Sequence, residues 1–231
     1  MKKLLFLVLL LATFLFFQLF QKPGDVILVG GGSIPERTIE WLKKISGTFL
    51  VITTDFEYSE RWISLLDNVL IIQPEDLDKG CFKNLAAIII DGGDQWEYVN
   101  RLNGKLVQQA HEQGIPILGT SAGAMLLANK YFSAKNGTIT SEDAKNDKNV
   151  DLAENFTKIR WLKNCIVDTH FTERNRLDRL KVFMQKGKVA KGIGIDEATA
   201  VRLNGNKIEV VGEGTVTFID GTGKKVSYSG K

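Results

Sequence analysis

A serine set between two glycines is the clearest candidate for chemistry in this sequence of 231 residues. Ser121 is the centre of a G-x-S-x-G pattern that follows a predicted strand over 115–118 and opens a predicted helix over 122–131. This strand-turn-helix setting is typical of a nucleophile elbow, in which a tight turn lifts the serine hydroxyl out of the sheet. The alternative interpretation is a turn used only for packing, because small residues fill many turns between strands and helices.

A serine nucleophile needs a base, and the sequence contains two histidines. His111 falls near the end of a predicted helix over 97–112, where a surface imidazole suits the helix dipole, so we expect a structural role there. His170 follows a predicted strand over 164–169. It would share the sheet edge with Ser121 if that strand is parallel, and this makes His170 the candidate base.

The third catalytic group should be a carboxylate that orients the imidazole. Asp196 and Glu197 both close a predicted strand over 193–195. Adjacent residues on a strand point to opposite faces, so only one of them should reach His170. The residues alone leave the choice open.

Three arginines follow the candidate base, namely Arg174, Arg176 and Arg179, on a predicted helix over 171–186. A solvated helix surface is the default interpretation of such a run. Its place directly after His170 favours a second interpretation, a clamp that binds carboxylate groups of a substrate.

Short apolar runs that alternate with amphipathic segments must position these residues. They predict an α/β fold, a three-layer α/β/α sandwich with a mostly parallel sheet built from right-handed βαβ units. The strands are predicted over 25–29, 48–53, 69–72, 86–90, 115–118, 164–169, 193–195, 199–203, 207–211 and 214–219. The remaining helices are predicted over 35–46 and 57–67. An Asn204-Gly205 turn predicts an antiparallel hairpin near the end of the chain.

Glycine clusters follow three of the predicted strands, at 30–32, at 92–93 and at 119. Ligands of open α/β sheets bind at the carboxyl ends of strands, so these clusters mark one edge as the site. Residues 133–160 are polar and charged. We interpret them as an excursion from the sheet, either a hairpin or a loop over the site.

Residues 1–22 form a distinct N-terminal segment, with Lys2 and Lys3 ahead of an apolar run over 4–20. This pattern predicts export, with the segment preceding an extracytoplasmic domain over 23–231 as a hydrophobic helix. A cleaved signal peptide and a retained membrane anchor both remain open, so the domain is expected to be secreted or membrane-anchored.

The charge and the cysteine count exclude several classes of protein. The formal net charge of +3 comes from the N-terminal segment, because the other 27 basic residues balance the 27 acidic ones, and this argues against a nucleic-acid binder. Two cysteines and two histidines argue against a structural zinc site, and we expect neither metal nor cofactor. Cys81 and Cys165 could pair outside the cytoplasm or be buried as small apolar groups.

Four motifs resemble those of peptidase family S51, most closely its cyanophycinase branch. They begin at Asp91 (Asp-Gly-Gly-Asp-Gln), Gly119 (Gly-Thr-Ser-Ala-Gly-Ala), Asp168 (Asp-Thr-His-Phe-x-x-Arg-x-Arg-x-x-Arg-Leu) and Gly192 (Gly-Ile-Gly-Ile-Asp-Glu-Ala-Thr-Ala). The resemblance implies a class I glutamine amidotransferase-like sandwich and a triad of Ser121, His170 and Glu197. It also implies an oxyanion hole at Gly93 and Ala122. The substrate-binding residues that it implies are Gln95, Asp168, Arg174, Arg176 and Arg179.

The resemblance implies a serine-type exopeptidase that hydrolyses aspartyl peptide bonds, either cyanophycinase-like or an aspartyl dipeptidase. Thr169 departs from the Gln usual in cyanophycinases, which weakens the expectation of their polymer substrate. The alternative is a catalytically silent, membrane-tethered ligand-binding protein of the same fold. The expected partners are a small peptide or peptide-polymer substrate, a membrane through the N-terminal segment, and a second copy in a homodimer.

Overall fold

A computed structural model describes residues 22–230, apart from the side chain of Cys81. The fold is organised around a seven-stranded sheet. Its strand order is β11-β10-β1-β5-β4-β2-β3, in which β10 is Thr199–Asn204 and β11 is Lys207–Gly212. The other five strands, β1, β5, β4, β2 and β3, are parallel to one another. These five are β1 (Val26–Val29), β2 (Thr48–Ile52), β3 (Val69–Ile72), β4 (Leu85–Ile90) and β5 (Ile117–Thr120). The predicted mostly parallel sheet is confirmed.

The hairpin predicted from Asn204-Gly205 forms the edge of this sheet. Strand β10 (Thr199–Asn204) runs antiparallel to β1, and β11 (Lys207–Gly212) runs antiparallel to β10. Because β10 lies beside β1, the sheet has no place for another parallel strand next to β1 or β5.

The predicted strand over 164–169 therefore lies elsewhere, and the expectation that it shares a sheet with Ser121 is wrong. It is β8 (Cys165–Thr169) of a second, four-stranded sheet in the order β13-β12-β9-β8. Its other strands are β9 (Lys191–Ile195), β12 (Thr215–Asp220) and β13 (Lys225–Ser229). β8 and β9 are parallel to each other, so their carboxyl ends lie side by side.

The helices are shorter than the periodicity predicts. They are α1 (Glu36–Lys43), α2 (Phe56–Ser59), α3 (Arg61–Leu65), α4 (Gln95–Arg101), α5 (Gly104–Glu112), α6 (Ala122–Leu126), α7 (Ser141–Lys145) and α8 (Leu177–Gly187). Short 3-10 turns lie at Pro74–Asp76, Lys79–Phe82 and Arg160–Leu162. The prediction over 97–112 spans two helices, because Asn103 caps a new helix by accepting from the backbone of Lys105.

Both faces of the central sheet are buried, since successive residues of each strand point to opposite sides. In β1, Ile27 and Val29 pack with α1 and α3 on one face. Val26 and Leu28 pack on the other face, where α4, α5 and α6 are joined by residues of the second sheet. The arrangement is layered as expected, but part of one helical layer is replaced by strands.

Residues 133–160 form a projecting segment rather than a strand of either large sheet. β6 (Lys130–Phe132) and β7 (Leu152–Glu154) make a two-stranded antiparallel sheet at its base. Between them, α7 begins with a capping box in which Thr140 and Asp143 satisfy each other's backbone. The hairpin interpretation is confirmed at the base of the segment.

The predicted leader lies outside the described residues, with the exception of Lys22. Within the part of the chain that is described, no helix combines the length and the apolar character needed to cross a bilayer.

Candidate functional site

Ser121 lies at the carboxyl end of β5, where the chain turns sharply into α6. Its backbone has φ 52° and ψ −115°, a conformation that residues with a side chain rarely adopt. The N–H of Ser121 still donates to Val29 O of β1 at 3.0 Å, and its carbonyl accepts from Met125 N in the first turn of α6. The geometry is that of a nucleophile elbow, which presents a hydroxyl above the edge of a sheet.

The glycines on either side of Ser121 are required by close contact with neighbouring backbone. A Cβ on Gly119 would lie 2.6 Å from Ala124 N, and one on Gly123 would lie 2.1 Å from Ile90 O. The backbone of α6 therefore packs so closely against β5 and β4 that no side chain fits at either position. The pattern in the sequence follows from this close packing.

Ser121, His170 and Glu197 form a continuous hydrogen-bonded chain. Ser121 Oγ lies 2.7 Å from His170 Nε2, and His170 Nδ1 lies 2.5 Å from Glu197 Oε1. His170 follows β8 and Glu197 follows β9, so the paired strands of the second sheet deliver both groups to the serine of the central sheet. The residues named from the sequence are thus brought together, although by a different sheet.

The imidazole of His170 is held in an environment that favours its neutral form. Burial lowers the pKa of His170 below its ordinary 6.5, while the hydrogen bond to Glu197 raises it; the charges of Arg174 and Arg176 lower it further. The net direction is downward, so the ring is neutral at pH 7. A neutral ring whose Nδ1–H donates to Glu197 leaves Nε2 free to accept the proton of Ser121.

The neighbouring acids Asp196 and Glu197 have different partners. The Asp196 carboxylate accepts from Thr172 N at 3.0 Å, and from the backbone and hydroxyl of Thr215 at 2.9 and 2.8 Å. Burial raises the pKa of Asp196, but these hydrogen bonds bring it below the ordinary value. Asp196 therefore fixes the loop after His170, and Glu197 is the acid that reaches the ring.

Among the described residues, the backbone N–H groups of Gly93 and Ala122 have no acceptor. Both residues line the cavity beside Ser121. Gly93 has φ 151°, and Asp94 caps α4 directly after it by accepting from Trp96 N and Glu97 N. The cavity lining therefore offers two unpaired backbone donors beside the serine.

The loop that carries Gly93 is tied down by Asp91, which the sequence reasoning gave no role. Asp91 is fully buried and accepts from Ser59 Oγ at 2.7 Å, Trp62 Nε1 at 2.8 Å and Arg61 Nη2 at 2.6 Å. It also accepts from Gly92 N at 2.8 Å. The carboxylate thus fixes both the loop and the segment that contains α2 and α3.

A cavity of about 260 Å³ opens beside Ser121 and His170. Of the predicted substrate-binding residues, its lining contains Gln95, Arg174, Arg176 and Arg179. Gln95 is mostly buried, and its Nε2 donates to the carbonyl of Phe132 at the base of the projecting segment. Gly137 and Thr138 of that segment complete the wall, so residues 133–160 help to form the site.

Asp168 lies beneath the cavity rather than in its wall. It is fully buried; Arg179 Nε donates to it at 2.9 Å and Arg176 Nη1 at 3.3 Å. The carboxylate is enclosed by these arginines and is not part of the cavity wall, and its contact with a substrate stays a prediction. Its role is to position Arg176 and Arg179.

The three arginines do not share one helix face, since α8 begins only at Leu177. Arg176 and Arg179 are buried against Asp168 and donate to the backbone of Thr169 and Ile139 respectively. Arg174 is exposed, lines the cavity and pairs with no carboxylate in residues 22–230. Two cations share one buried acid, and Arg174 adds a third positive charge to a lining that also contains the carboxylate of Asp94.

Gly31 and Gly32 pack directly against the base and its acid, and the sequence marked them only as a site edge. A Cβ on Gly31 would lie 2.3 Å from His170 Cε1, and one on Gly32 would lie 3.4 Å from Glu197 Oε2. Gly30 O accepts from His170 N at 2.8 Å, and Gly31 O accepts from Ala198 N at 2.9 Å. The loop after β1 therefore holds the second sheet against the first.

His111 is buried rather than solvated, so the surface position predicted for it is wrong. Its ring packs edge-on against Trp161 with the centroids 5.4 Å apart, and burial lowers its pKa. The contact joins residues 50 apart in the sequence, which helix periodicity cannot reveal. His111 takes no part in the site.

The described residues contain no group of three or more His, Cys, Asp or Glu side chains that could hold a metal ion. Cys165 is a free, buried thiol, and burial raises its pKa to about 12. Its chemistry is therefore suppressed at neutral pH.

Comparison with curated proteins gives a consistent group of relatives. The chain is 32% identical over 182 residues to a cyanophycinase of Geminocystis herdmanii, covering 76% of this chain and 64% of the relative. It is 37% identical over 150 residues to a cyanophycinase of Thermosynechococcus vestitus, covering 62% of this chain and 44% of that protein. The chain thus spans between 44% and 64% of the length of these relatives.

Solved structures show the same fold. A peptidase from an acI-B1 Actinobacterium superposes with a TM-score of 0.67 at 21% identity, over 90% of this chain and 98% of its own. A putative peptidase E of Listeria monocytogenes superposes with a TM-score of 0.56 at 16% identity, over 82% and 98%. The model of peptidase family S51 matches residues 72–211, more than half of the chain and the region that holds Ser121, His170 and Glu197. This chain therefore belongs to peptidase family S51.

Proposed function

We propose that this chain is a serine-type exopeptidase that hydrolyses aspartyl peptide bonds with Ser121, His170 and Glu197 as its catalytic triad. The observation that carries the proposal is the chain of hydrogen bonds from Ser121 Oγ through both nitrogens of His170 to Glu197. The strained turn at Ser121 and the cyanophycinase relatives support the same conclusion.

The first half of the reaction forms an acyl-enzyme. Ser121 Oγ attacks the carbonyl carbon of the scissile amide as His170 Nε2 takes the hydroxyl proton, and the carbonyl π electrons move to oxygen. The N–H groups of Gly93 and Ala122 donate to that oxyanion, each contributing about 3–4 kcal/mol in comparable sites. Glu197 stabilises the imidazolium. His170 then gives the proton to the leaving amine as the C–N bond breaks.

The second half releases the acid. A water molecule gives a proton to His170 Nε2 and attacks the acyl carbon, which again places negative charge near Gly93 and Ala122. The intermediate collapses with cleavage of the bond to Ser121 Oγ, and His170 returns the proton to the serine. The enzyme is regenerated without a cofactor.

The cavity favours an acidic residue on the acyl side of the bond. Arg174, Arg176 and Arg179 line it, and Arg174, which pairs with no carboxylate in residues 22–230, has its guanidinium available to a substrate carboxylate. At about 260 Å³ the cavity is smaller than the roughly 300–1,000 Å³ of typical ligand pockets. It suits a single aspartyl residue rather than a stretch of chain, which favours an exopeptidase or a dipeptidase.

The test is hydrolysis of β-aspartyl-arginine, an α-aspartyl dipeptide and cyanophycin by the wild type and by Ser121→Ala. We expect the wild type to release free aspartate from at least one of the dipeptides and Ser121→Ala to lose about 10³-fold or more in kcat. Ser229→Ala, an exposed serine on β13, is the matched control and should retain full activity. Full activity of Ser121→Ala would refute the nucleophile.

A further inference from the structure

Tyr58 of α2 lies beside the catalytic serine but outside the cavity that the arginines line. A Cβ on Gly92 would lie 3.4 Å from Tyr58 Cε1 and 3.9 Å from its hydroxyl oxygen, and 3.7 Å from Ser121 Cβ. The edge of the tyrosine ring and the serine therefore border the same glycine.

The position of Tyr58 is fixed by the structure around it. The Arg61 guanidinium stacks over the Tyr58 ring at 3.9 Å from its centroid and donates to the buried carboxylate of Asp91. Ser59, the next residue of α2, donates to Asp91 as well, and Asp91 accepts from Gly92 N. A single carboxylate therefore ties the tyrosine segment to the loop of the oxyanion hole.

The hydroxyl of Tyr58 is available to a ligand. Tyr58 is 42% exposed, and within residues 22–230 its hydroxyl has no hydrogen-bond partner. One face of the ring is covered by Arg61, so a substrate meets the ring edge and the hydroxyl. A phenolic O–H is a donor for an anionic group such as a carboxylate.

We infer that Tyr58 forms the binding site for the leaving amino acid, with its hydroxyl donating to the free carboxylate of that residue. The inference rests on the proposed function, in which the aspartyl residue occupies the arginine-lined cavity. The leaving residue then lies across Ser121 from that cavity, toward Gly92 and Tyr58. In a dipeptide the carboxylate carbon of the leaving residue is two bonds from the scissile nitrogen. This carboxylate therefore stays close to Ser121. The substrate class is therefore an aspartyl dipeptide with a free C-terminal carboxylate.

The test compares β-aspartyl-arginine with the same dipeptide amidated at the arginine carboxylate. Binding of both to Ser121→Ala and to Ser121→Ala with Tyr58→Phe is measured by calorimetry, so no turnover is needed. We expect Tyr58→Phe to weaken binding of the free acid about tenfold and to leave that of the amide within about twofold. In the otherwise wild-type enzyme, Tyr58→Phe should raise KM for the acid more than it lowers kcat.

Phe56→Ala is the matched control, because Phe56 is 43% exposed on the same helix and is not among the atoms nearest to Gly92. It should leave binding of both dipeptides unchanged. Equal weakening of acid and amide by Tyr58→Phe, no weakening of either, or no binding of the acid to Ser121→Ala would overturn the inference. A wild type that binds the acid through Tyr58 but cleaves none of the aspartyl peptides would refute the proposed function and leave the site at Tyr58 standing.

Discussion

The two sheets contribute different parts of one site. The central sheet supplies Ser121 and the loop of Gly93, and the second sheet supplies His170 and Glu197 from the ends of β8 and β9. Each sheet also has a fully buried aspartate directly after or at the end of a strand, Asp91 in the first and Asp168 in the second. These aspartates hold the two halves of the site, but they do so with different partners.

Asp91 is satisfied mainly by neutral donors. Ser59, Trp62 and Gly92 donate to it, and its one cationic partner, Arg61, keeps 23% of its side chain exposed. Asp168 instead pairs with Arg179 and Arg176, whose side chains are 1% and 7% exposed. The comparison indicates that the half of the site that carries Ser121 is held mainly by hydrogen bonds from neutral groups, and the half that carries the arginines is held by buried ion pairs.

The largest effect on activity is expected from Glu197→Gln. An amide at this position cannot stabilise the imidazolium and no longer fixes the tautomer of His170, so kcat should fall about 10³- to 10⁴-fold. Asp196→Asn is the neighbouring control. It should cost about 1–2 kcal/mol of stability through Thr172 and Thr215 while kcat changes by less than about tenfold. Steady-state kinetics and urea unfolding separate the two, and equal loss of kcat in both variants would contradict the assignment of Glu197.

The two buried aspartates can be compared directly by Asp168→Asn and Asp91→Asn. Asp168→Asn leaves Arg176 and Arg179 buried without a counter-charge and should lower the free energy of unfolding by about 3–5 kcal/mol. Asp91→Asn leaves the partly exposed Arg61 and several neutral donors without the carboxylate. We expect it to lower the free energy of unfolding by about 1–3 kcal/mol. Chemical denaturation measures both. A larger loss of unfolding free energy in Asp91→Asn than in Asp168→Asn would contradict the claim that buried charge holds only the half of the site around Asp168.

The junction between the sheets is tested by Gly31→Ala. The added methyl group would meet the His170 ring at 2.3 Å and displace it from Ser121, and a misplacement of about 1 Å costs about 10²-fold in kcat. Gly223→Ala is matched for backbone strain, since both glycines have positive φ, but its Cβ would have nothing within 4 Å and Gly223 is not part of the cavity beside Ser121. It should keep kcat within about twofold. Similar kcat values for the two variants would show that Gly31 is not required to leave space for the His170 ring.

The smallest effect is a shift of the pH profile in Arg174→Ala. The positive charge of Arg174 lowers the pKa of His170, so its removal raises that pKa and moves the acid limb of kcat/KM to higher pH. Activity is lost as the pH falls through this limb, because the base becomes protonated. Arg37→Ala, a surface arginine paired with Glu40, should leave the limb in place. An acid limb at unchanged or lower pH in Arg174→Ala would contradict the electrostatic link.

Local sequence pattern was sufficient for Ser121, for His170 and for most strands. The G-x-S-x-G turn predicted Ser121, and the scarcity of histidine with the strand before it predicted His170. Both predictions depend on residues that are close in the sequence. The choice between Asp196 and Glu197 needed the resemblance, because alternation along a strand does not say which face meets the histidine.

The second sheet and the burial of the arginines could not be predicted in this way. Whether β8 joins the central sheet depends on β10, which lies 30 residues later and takes the position beside β1. Likewise, Arg176 and Arg179 have the pattern of a solvated helix surface, and only Asp168 makes their burial favourable. These are contacts between distant parts of the chain, for which hydrophobic periodicity carries no signal.

The central claim is that a base on the second sheet activates a serine on the first, and covalent labelling tests it most directly. The protein is treated with a fluorophosphonate reagent that reacts with activated serines, and the modified peptide is identified by mass spectrometry in the wild type and in His170→Ala. The account predicts a single adduct on Ser121, formed more slowly below the pKa of His170 and nearly absent in His170→Ala. No adduct on Ser121, or an equal rate of labelling in His170→Ala, would contradict it.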